Sequence, residues 1–578
     1  MRKSFTLFCN LLLIISIATA SFAQTGTASK AAPAAPKEKV ATSTTTKSPV
    51  TVEKIEQDMA EALTVIQDSY VGGKKLNYND LIKSSIDSML HTLDPHSNYF
   101  DAKEFEQFRT DQQSQYFGIG ATIGDLRDGK GNLIATYIKA TFDGAPANRA
   151  GLRYGDKIVE VNGTSMLGKP FSDVRNFLRG PRGTTAKITV ERYGTGKRET
   201  VEITRDAVPQ PSIPEAYMIR PGVGYIAMTG GFNQTTFNEF RQAMIDLKRQ
   251  GMENLVLDLR NNGGGLVNQA YRVASTFLNR GQTVFTQKGR LEDSYGSYPS
   301  DNGTPDQTPI VIMVNRNTAS ASEILAGALQ DHDRALIVGE NTFGKGLVQN
   351  PFILEYGSML LLTIAKYETP SGRLIQRDYS NGNLYDYYTN GGTLREELNQ
   401  NNKPKGAESK TDTGRTVYGG GGIQPDEPIK PQTIPAERAQ LQSKLIDPIF
   451  AFSLDLVYGK LPGFEAYKAD KPITFDYDLK ATDFPINETV YQAFKKYAMD
   501  KYKLTPAQID REREFVERTL RTEFVTAAYG STTSFQVFNE YDNQLKRAIE
   551  VLPKAKQLAT ESARVQAQKA ISNNNNNR

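Results

Sequence analysis

The pattern of hydrophobic and polar positions divides the chain into segments with different secondary structure. Apolar residues recur every three or four positions from Val52, which predicts an N-terminal helical region over 51–107. Short apolar runs between glycine turns predict a small β-rich domain over 108–205. Over 206–430, continuous apolar strands alternate with helices, which predicts a parallel sheet with right-handed crossovers. The pattern of 431–578 is mostly helical, so the fold class is multidomain α/β.

Three segments fall outside this alternation. Residues 1–23 have a charged start, an apolar stretch and small residues before the predicted cut, which is typical of a secretory signal peptide. We therefore expect an exported protein, periplasmic or secreted after cleavage; an uncleaved anchor is the alternative. Residues 24–50 are rich in Ala, Thr, Ser, Lys and Pro and predict a flexible linker. Near 380–415, a polar stretch predicts an insertion or long loop in the α/β segment.

Composition narrows the function classes. The 578 residues contain 69 Lys and Arg against 65 Asp and Glu, a formal net charge of +4, so no polybasic surface argues for a nucleic-acid partner. One cysteine excludes an internal disulfide and a cysteine-rich zinc site, and three histidines leave little material for a metal cluster. We expect neither metal nor cofactor. The cysteine, Cys9, lies in the predicted signal peptide, so the mature chain would act without a thiol.

Candidate chemistry lies in three loops that follow predicted strands, because open parallel sheets bind ligands beyond the carboxyl ends of their strands. The glycine-rich loop 260–265 suits an oxyanion or is only a tight turn. Loop 315–323 exposes a serine at a helix start, or that serine merely caps the helix. Loop 339–346 nearly matches a phosphate-binding loop, but Gly346 replaces the required hydroxyl and a strand pattern follows.

A glycine-flanked lysine in the third loop favours another use. If enclosed, a lysine can lose its proton and serve as a general base for a serine. A histidine-based triad is less attractive. His332 should lie at the far end of the helix after loop 315–323, on the surface, and we expect His91 and His96 to be structural.

These residues resemble the carboxy-terminal processing (tail-specific) serine proteases, whose core is α/β and ClpP/crotonase-like. The resemblance covers about 52–430 and includes the motif Leu93-Asp94-Pro95-His96-Ser97. It implies three catalytic residues and an oxyanion hole at the Ala321 amide and a glycine amide of the preceding turn. Ser322 is the rival nucleophile. The implied catalytic residues are Ser320 as nucleophile, Lys345 as base and Gln349 as its orienting partner, and the candidate glycines are Gly264 and Gly265.

The β-rich segment resembles a PDZ domain. The resemblance implies a loop whose backbone N–H groups bind a peptide carboxylate while the peptide adds a strand to the sheet. That loop would contain Phe117, Gly118, Ile119 and Gly120. A PDZ-like spacer that binds nothing is the alternative.

The expected function is a serine endopeptidase that recognises the C-terminal end of exported polypeptides and cleaves them by Ser–Lys catalysis. A catalytically silent PDZ scaffold that binds peptides is the alternative from another class. Helical segments at both ends exceed the needs of the core, which suggests a homo-oligomer.

Overall fold

The computed structural model describes most of the chain. Described are residues 51–72, 75–112, 115–380, 387–388, 406–430, 433–469 and 472–576. The predicted signal peptide, 1–23, and linker, 24–50, lie outside the described residues. Within the ranges just given, no helix is both long and apolar enough to cross a membrane.

The N-terminal region has three helices and one strand. They are α1 (Val52–Ser69), α2 (Tyr78–His91), β1 (Asn98–Phe100) and α3 (Ala102–Gln112). Helix α1 forms as the periodicity predicts, but its apolar side is uncovered, and Ile55 is 48% exposed. The boundary predicted after residue 107 is wrong, because α3 continues across it. Phe108 packs on Phe100 with ring centroids 5.3 Å apart, so the end of α3 belongs with β1.

The next segment is a small β-rich domain. Its strands and helices are β2 (Gln115–Gly118), β3 (Ala121–Arg127), β4 (Leu133–Thr141), α4 (Pro146–Arg149), β5 (Lys157–Val161), β6 (Thr164–Ser165), α5 (Phe171–Leu178), β7 (Thr185–Glu191), β8 (Arg198–Thr204) and β9 (Asp206–Pro209). The sheet order is β3-β4-β5-β7-β8, so β3 is an edge strand. Strands β2 and β9 pair antiparallel where the chain enters and leaves the domain.

The α/β segment contains two sheets. Its elements are β10 (Glu215–Arg220), β11 (Val223–Ala227), α6 (Thr236–Arg249), β12 (Asn254–Asp258), α7 (Val267–Ser275), β13 (Thr283–Gly289), β14 (Gly296–Pro299), β15 (Ile310–Val314), α8 (Ala321–Asp331), β16 (Ala335–Gly339), β17 (Leu347–Ile353), β18 (Met359–Glu368), β19 (Glu408–Lys410), β20 (Thr416–Tyr418) and β21 (Glu427–Pro428). The central sheet runs β10-β11-β12-β15-β16-β21 and is parallel except for β10. An antiparallel sheet joins β1, β18, β13 and β14, with β17 on β18.

The central strands are apolar throughout because both faces of their sheet are covered. Leu255 and Leu257 pack in one cluster with helices α6, α7 and α8. Val256, between them, points to the opposite face, where C-terminal helices cover the sheet. Alternate residues of a strand point to opposite faces, so a strand that is buried on both faces cannot alternate between apolar and polar residues.

The C-terminal region is helical. Its helices are α9 (Ala436–Val457), α10 (Glu488–Tyr502), α11 (Pro506–Arg511), α12 (Arg513–Glu540), α13 (Asn543–Glu550) and α14 (Leu552–Asn576). Helices α9 and α12 pack on the β-rich domain, where Tyr137 and Tyr154 contact Phe450 edge-on. Glu523 of α12 accepts hydrogen bonds from Lys139 Nζ at 2.7 Å and from Tyr154 Oη at 2.6 Å. The region therefore holds the β-rich domain and also covers the central sheet.

The described end of the predicted polar insertion is structured. Strands β19 and β20 form a hairpin, and Asp412 between them contacts His332 Nδ1 at 2.8 Å. His332 does end helix α8, but the surface position predicted for it is wrong, since the residue is only 8% exposed. Its Nε2 lies 2.8 Å from the Thr283 carbonyl oxygen. The hairpin that buries His332 comes from a distant part of the chain.

Candidate active site

The three candidate loops meet at one edge of the central sheet. Strands β12, β15 and β16 are parallel neighbours, so the loops that follow Asp258, Val314 and Gly339 leave at the same side. Two backbone hydrogen bonds join the loops directly. Ala319 N donates to the Asn262 carbonyl at 3.0 Å, and Phe343 N donates to the Thr318 carbonyl at 2.9 Å. The residues singled out in the sequence therefore belong to one site.

Ser320 sits on a strained turn between a strand and a helix. Its φ of 57° and ψ of −119° lie outside the regions that side chains with a Cβ favour, and helix α8 begins at the next residue. Such a turn holds a serine hydroxyl clear of the backbone, although the chain lacks the G-x-S-x-G motif that usually marks it. The rival Ser322 is fully buried, and its Oγ donates to the Asn262 carbonyl at 3.0 Å. Ser322 is thus engaged in holding the loops together.

The glycine turn lies directly against Ser320. A Cβ on Gly264 would come within 2.7 Å of the Ser320 Cβ and 3.0 Å of the Ala321 N, so only glycine permits this approach. The Gly264 N–H donates to Asn262 Oδ1 at 2.9 Å. Within the part of the chain that the structure describes, the N–H groups of Gly265 and Ala321 donate to no acceptor. These two amides are free to bind a developing negative charge.

Lys345 and Gln349 are joined at the start of strand β17. Lys345 Nζ donates to Gln349 Oε1 at 2.7 Å, and Gln349 Nε2 donates to the His96 carbonyl at 2.5 Å. Burial lowers the pKa of Lys345 to about 8, while the charges of Asp94 and Glu323 act in the opposite direction. The ammonium group of this lysine is therefore easier to deprotonate than that of an ordinary lysine. Among the described residues, Ser320 Oγ and Lys345 Nζ form no direct hydrogen bond.

Glu323 links the serine loop to the lysine loop, and the sequence analysis assigned it no role. Its side chain is fully buried. Oε2 accepts from the N–H groups of Ser320 and Lys345, both at 2.8 Å. Oε1 accepts from the Gly344 N–H at 2.7 Å and from the Thr342 hydroxyl. Burial raises the pKa of Glu323, and these four hydrogen bonds act against that rise. All four partners are donors, which matches an ionised carboxylate.

Tyr367 is a second link that the sequence analysis missed. Its hydroxyl lies 3.0 Å from the Ser320 carbonyl oxygen and 3.1 Å from the Lys345 carbonyl oxygen. It lies on β18, far from both loops in sequence, and no local pattern identifies it. Glu323 was detectable, because Ser-x-x-Glu before an apolar helix is the spacing of a capping box. In the structure, the Glu323 carboxylate accepts from the Ser320 N–H as that motif requires.

The motif around His96 supports the lysine from behind. Asp94 Oδ1 accepts from the N–H groups of His96 and Ser97, both at 2.8 Å, which fixes the turn. The His96 ring contacts Tyr387 Oη through Nε2 at 2.8 Å, and burial lowers the pKa of this histidine to about 3. A neutral, enclosed imidazole agrees with the structural role expected for His96. Its carbonyl, which holds Gln349, is the part that reaches the site.

Other chemistries find no support in this geometry. Strand β17 follows the loop 339–346, whereas a phosphate-binding loop must lead into a helix. In the described part of the chain, no three His, Cys, Asp or Glu side chains are grouped so that they could hold a metal ion.

The predicted carboxylate loop forms the turn between β2 and β3. Phe117 and Gly118 lie in β2, paired with β9, and the Ile119 carbonyl accepts from the Ala147 N–H at 2.7 Å. Among the described residues, the N–H groups of Ile119 and Gly120 donate to no acceptor. The turn therefore offers two free donors beside the open edge of β3.

Comparisons with known families agree with the class of protein that this fold and site define. Residues 222–386 match peptidase family S41, and residues 139–192 match a PDZ domain. The carboxy-terminal-processing protease of Bartonella bacilliformis is 36% identical over 301 residues, which cover 51% of this chain and 67% of that protein. The carboxy-terminal processing protease CtpB of Bacillus subtilis is 32% identical over 328 residues, which cover 56% of this chain and 66% of that protein.

The chain belongs to peptidase family S41, a family of serine-type peptidases, and contains a PDZ domain. The predicted family and the multidomain α/β fold class are confirmed. The chain spans about two thirds of the length of these relatives. A solved photosystem II D1 C-terminal processing protease is 28% identical, covers 67% of this chain and 95% of its own, and superimposes with a TM-score of 0.33. This overlap is too partial to add to the assignment.

Exchanging Glu323 for glutamine should disrupt the site. Whichever way the amide turns, its NH₂ group faces two donors, so buried hydrogen bonds are lost at a cost on the order of 1–3 kcal/mol each. We expect Glu323→Gln to lower the free energy of unfolding and to reduce peptidase activity at least about 100-fold. The control is Glu355→Gln, at an exposed hairpin position of the neighbouring sheet. Equal activity in the two variants would contradict the role of Glu323.

Proposed function

We propose that this protein is an exported serine endopeptidase that captures the C-terminal end of a polypeptide on its PDZ domain and cleaves the chain by Ser–Lys catalysis. The observation that carries the proposal is the enclosed Lys345, bonded to Gln349 and joined through Glu323 to the strained Ser320. Ser320 is the nucleophile and Lys345 the general base. Gln349 orients the base and leaves its neutral amine a single direction in which to accept a proton.

Acylation begins with neutral Lys345. Its amine takes the Ser320 hydroxyl proton as Oγ attacks the carbonyl carbon of the scissile peptide bond. The carbonyl oxygen becomes negatively charged, and N–H groups already aimed at it stabilise that charge. The Ala321 N–H and one amide of the glycine turn supply this oxyanion hole. Of the two glycines, Gly265 has the free N–H, whereas that of Gly264 is engaged with Asn262.

The tetrahedral intermediate then loses the amine. The Lys345 ammonium donates its proton to the leaving nitrogen, the C–N bond breaks and an ester forms on Ser320. Neutral Lys345 next deprotonates a water molecule, which attacks the ester and releases the new carboxyl terminus. The proton returns to Ser320, so every step balances with water as the only co-reactant.

The PDZ domain provides substrate capture in this proposal. The edge strand β3 can accept an extended peptide, with α5 beside it, and the turn 117–120 presents the Ile119 and Gly120 N–H groups to a terminal carboxylate. Capture at a chain end and cleavage upstream would select unfolded or flexible polypeptides.

Export and oligomerisation belong to the proposal with weaker support. The N-terminal pattern over 1–23 is the reason to expect export, and finding the protein only in the cytoplasm after cell fractionation would remove that part. Uncovered apolar residues on α1, such as Ile55, favour association through the terminal helices. Light scattering on chains with and without 51–72 would decide it.

Removing either member of the dyad should abolish cleavage. Purified Ser320→Ala lacks the attacking oxygen and Lys345→Ala lacks the base, so we expect both to lose at least about 1,000-fold in kcat/KM on an unfolded polypeptide. Ser322→Ala is the matched control for a nearby serine and should keep measurable activity. Full activity in either dyad variant would leave the silent PDZ scaffold as the better interpretation.

The pH dependence should report the lysine base. Lys345 acts only when neutral, so activity must rise with pH as its proton is lost. With a pKa of about 8, kcat/KM should rise about tenfold per pH unit below pH 8 and level off above it. A rate that is flat from pH 6 to 9 would exclude Lys345 as the base.

Recognition of the chain end should depend on its charge. Amidation removes the terminal carboxylate, which is the group that the Ile119 and Gly120 N–H groups would bind. We expect an amidated substrate to show a KM at least about tenfold higher than its free-acid counterpart, with kcat nearly unchanged. Identical KM values would favour a PDZ domain that serves only as a spacer.

A further inference from the structure

Helix α13 brings part of the C-terminal region to the candidate active site. Leu545 and Ala548 are buried against one face of the central sheet. This packing places residues 542–544 at the carboxyl ends of β12, β15 and β16, where the three loops begin. The match to peptidase family S41 ends at residue 386, so this contact lies outside the matched core.

Asp542 binds the glycine loop through Arg260. Its Oδ2 lies 2.6 Å from Arg260 Nη1, and the same arginine also contacts Asp258 Oδ2 at 2.6 Å through Nη2. The other oxygen of Asp542 caps helix α13 by accepting from the N–H groups of Gln544 and Leu545. One carboxylate therefore fixes the start of the helix and the start of the loop that ends in the oxyanion turn.

Gln544 binds the other two strand ends. Its Nε2 donates to the Val314 carbonyl at 2.9 Å and to the Val338 carbonyl at 3.1 Å. The Val314 carbonyl also accepts from the Glu340 N–H at 3.2 Å. Val314 is the last residue before the serine loop, and Val338 is one residue before the end of β16. A single carboxamide thus sets the spacing of the two strands that carry the dyad.

Gly339 accommodates this contact. Its φ is +132°, and a Cβ there would come within 2.0 Å of Gln544 Nε2 and 2.1 Å of the Val314 carbonyl oxygen. Any side chain would displace the carboxamide. The lysine loop therefore begins with the one residue type that leaves room for Gln544.

We propose that Asp542 and Gln544 are positioning residues for the peptidase reaction and hold the three active-site loops in register from the C-terminal region. Neither residue contacts the dyad, so both act through the backbone of the loops. The inference rests on the proposed function for its kinetic consequence, but the positioning itself can be measured without turnover.

The kinetic test uses the full chain with Gln544→Ala and Asp542→Asn. Asparagine keeps a capping oxygen at residue 542 and removes only the charge that binds Arg260. Small misplacements of reacting groups affect turnover strongly, so we expect kcat to fall at least about tenfold in Gln544→Ala and severalfold in Asp542→Asn. KM should stay within about twofold, because the PDZ domain is untouched. The control is Gln566→Ala, which loses an interregional contact to Asn279 of 2.8 Å away from the loops.

Hydrogen exchange supplies the readout that does not need catalysis. Amides of residues 315–320 and 339–345 should exchange faster in Gln544→Ala than in the wild type or in Gln566→Ala, while those of the PDZ domain stay unchanged. Wild-type exchange in both loops, or equal losses of kcat in Gln544→Ala and Gln566→Ala, would overturn the inference. If the wild type and Ser320→Ala are equally inactive, the proposed function fails, and exchange alone decides the positioning.

Discussion

The candidate site depends on one buried carboxylate, that of Glu323. Burying an ionised carboxylate costs several kcal/mol unless hydrogen bonds offset the loss of water. Here the donors come from both loops, and two of them are the N–H groups of Ser320 and Lys345 themselves. The carboxylate is satisfied only when the serine turn and the lysine loop are both in place. The strain at Ser320 is tolerated for the same reason, because its N–H is tied down and helix α8 starts immediately after it.

The same enclosure prepares the lysine. Burial lowers the pKa of Lys345, although Asp94 and Glu323, the two acids whose charges reach it, act in the opposite direction. Removal of water therefore outweighs nearby negative charge in this site. Gln349 can orient the amine without adding charge, and it is held in turn by the His96 carbonyl. A carboxylate in place of Gln349 would instead favour the ammonium form, which cannot act as a base.

The regions outside the protease core do more than extend it. The N-terminal motif around His96 supports the base, and strand β1 joins the sheet that carries β17 and β18. The C-terminal helices cover one face of the central sheet and pack on the PDZ domain through Glu523. The central sheet could not remain apolar on both faces without them. Substrate capture and the reacting groups are thus held by one continuous scaffold.

The sequence by itself determined the class of fold, the order of its regions and the identity of the candidate dyad, because these depend on local periodicity and on motifs whose residues are close together in the chain. It left open which glycine amide is free, and it placed His332 at the surface. Only the tertiary structure showed that Asn262 occupies the Gly264 N–H and that a distant hairpin buries His332. The roles of Tyr367, the His96 carbonyl and Gln544 were likewise decided there. Each depends on a contact between residues far apart in sequence, which local patterns do not encode.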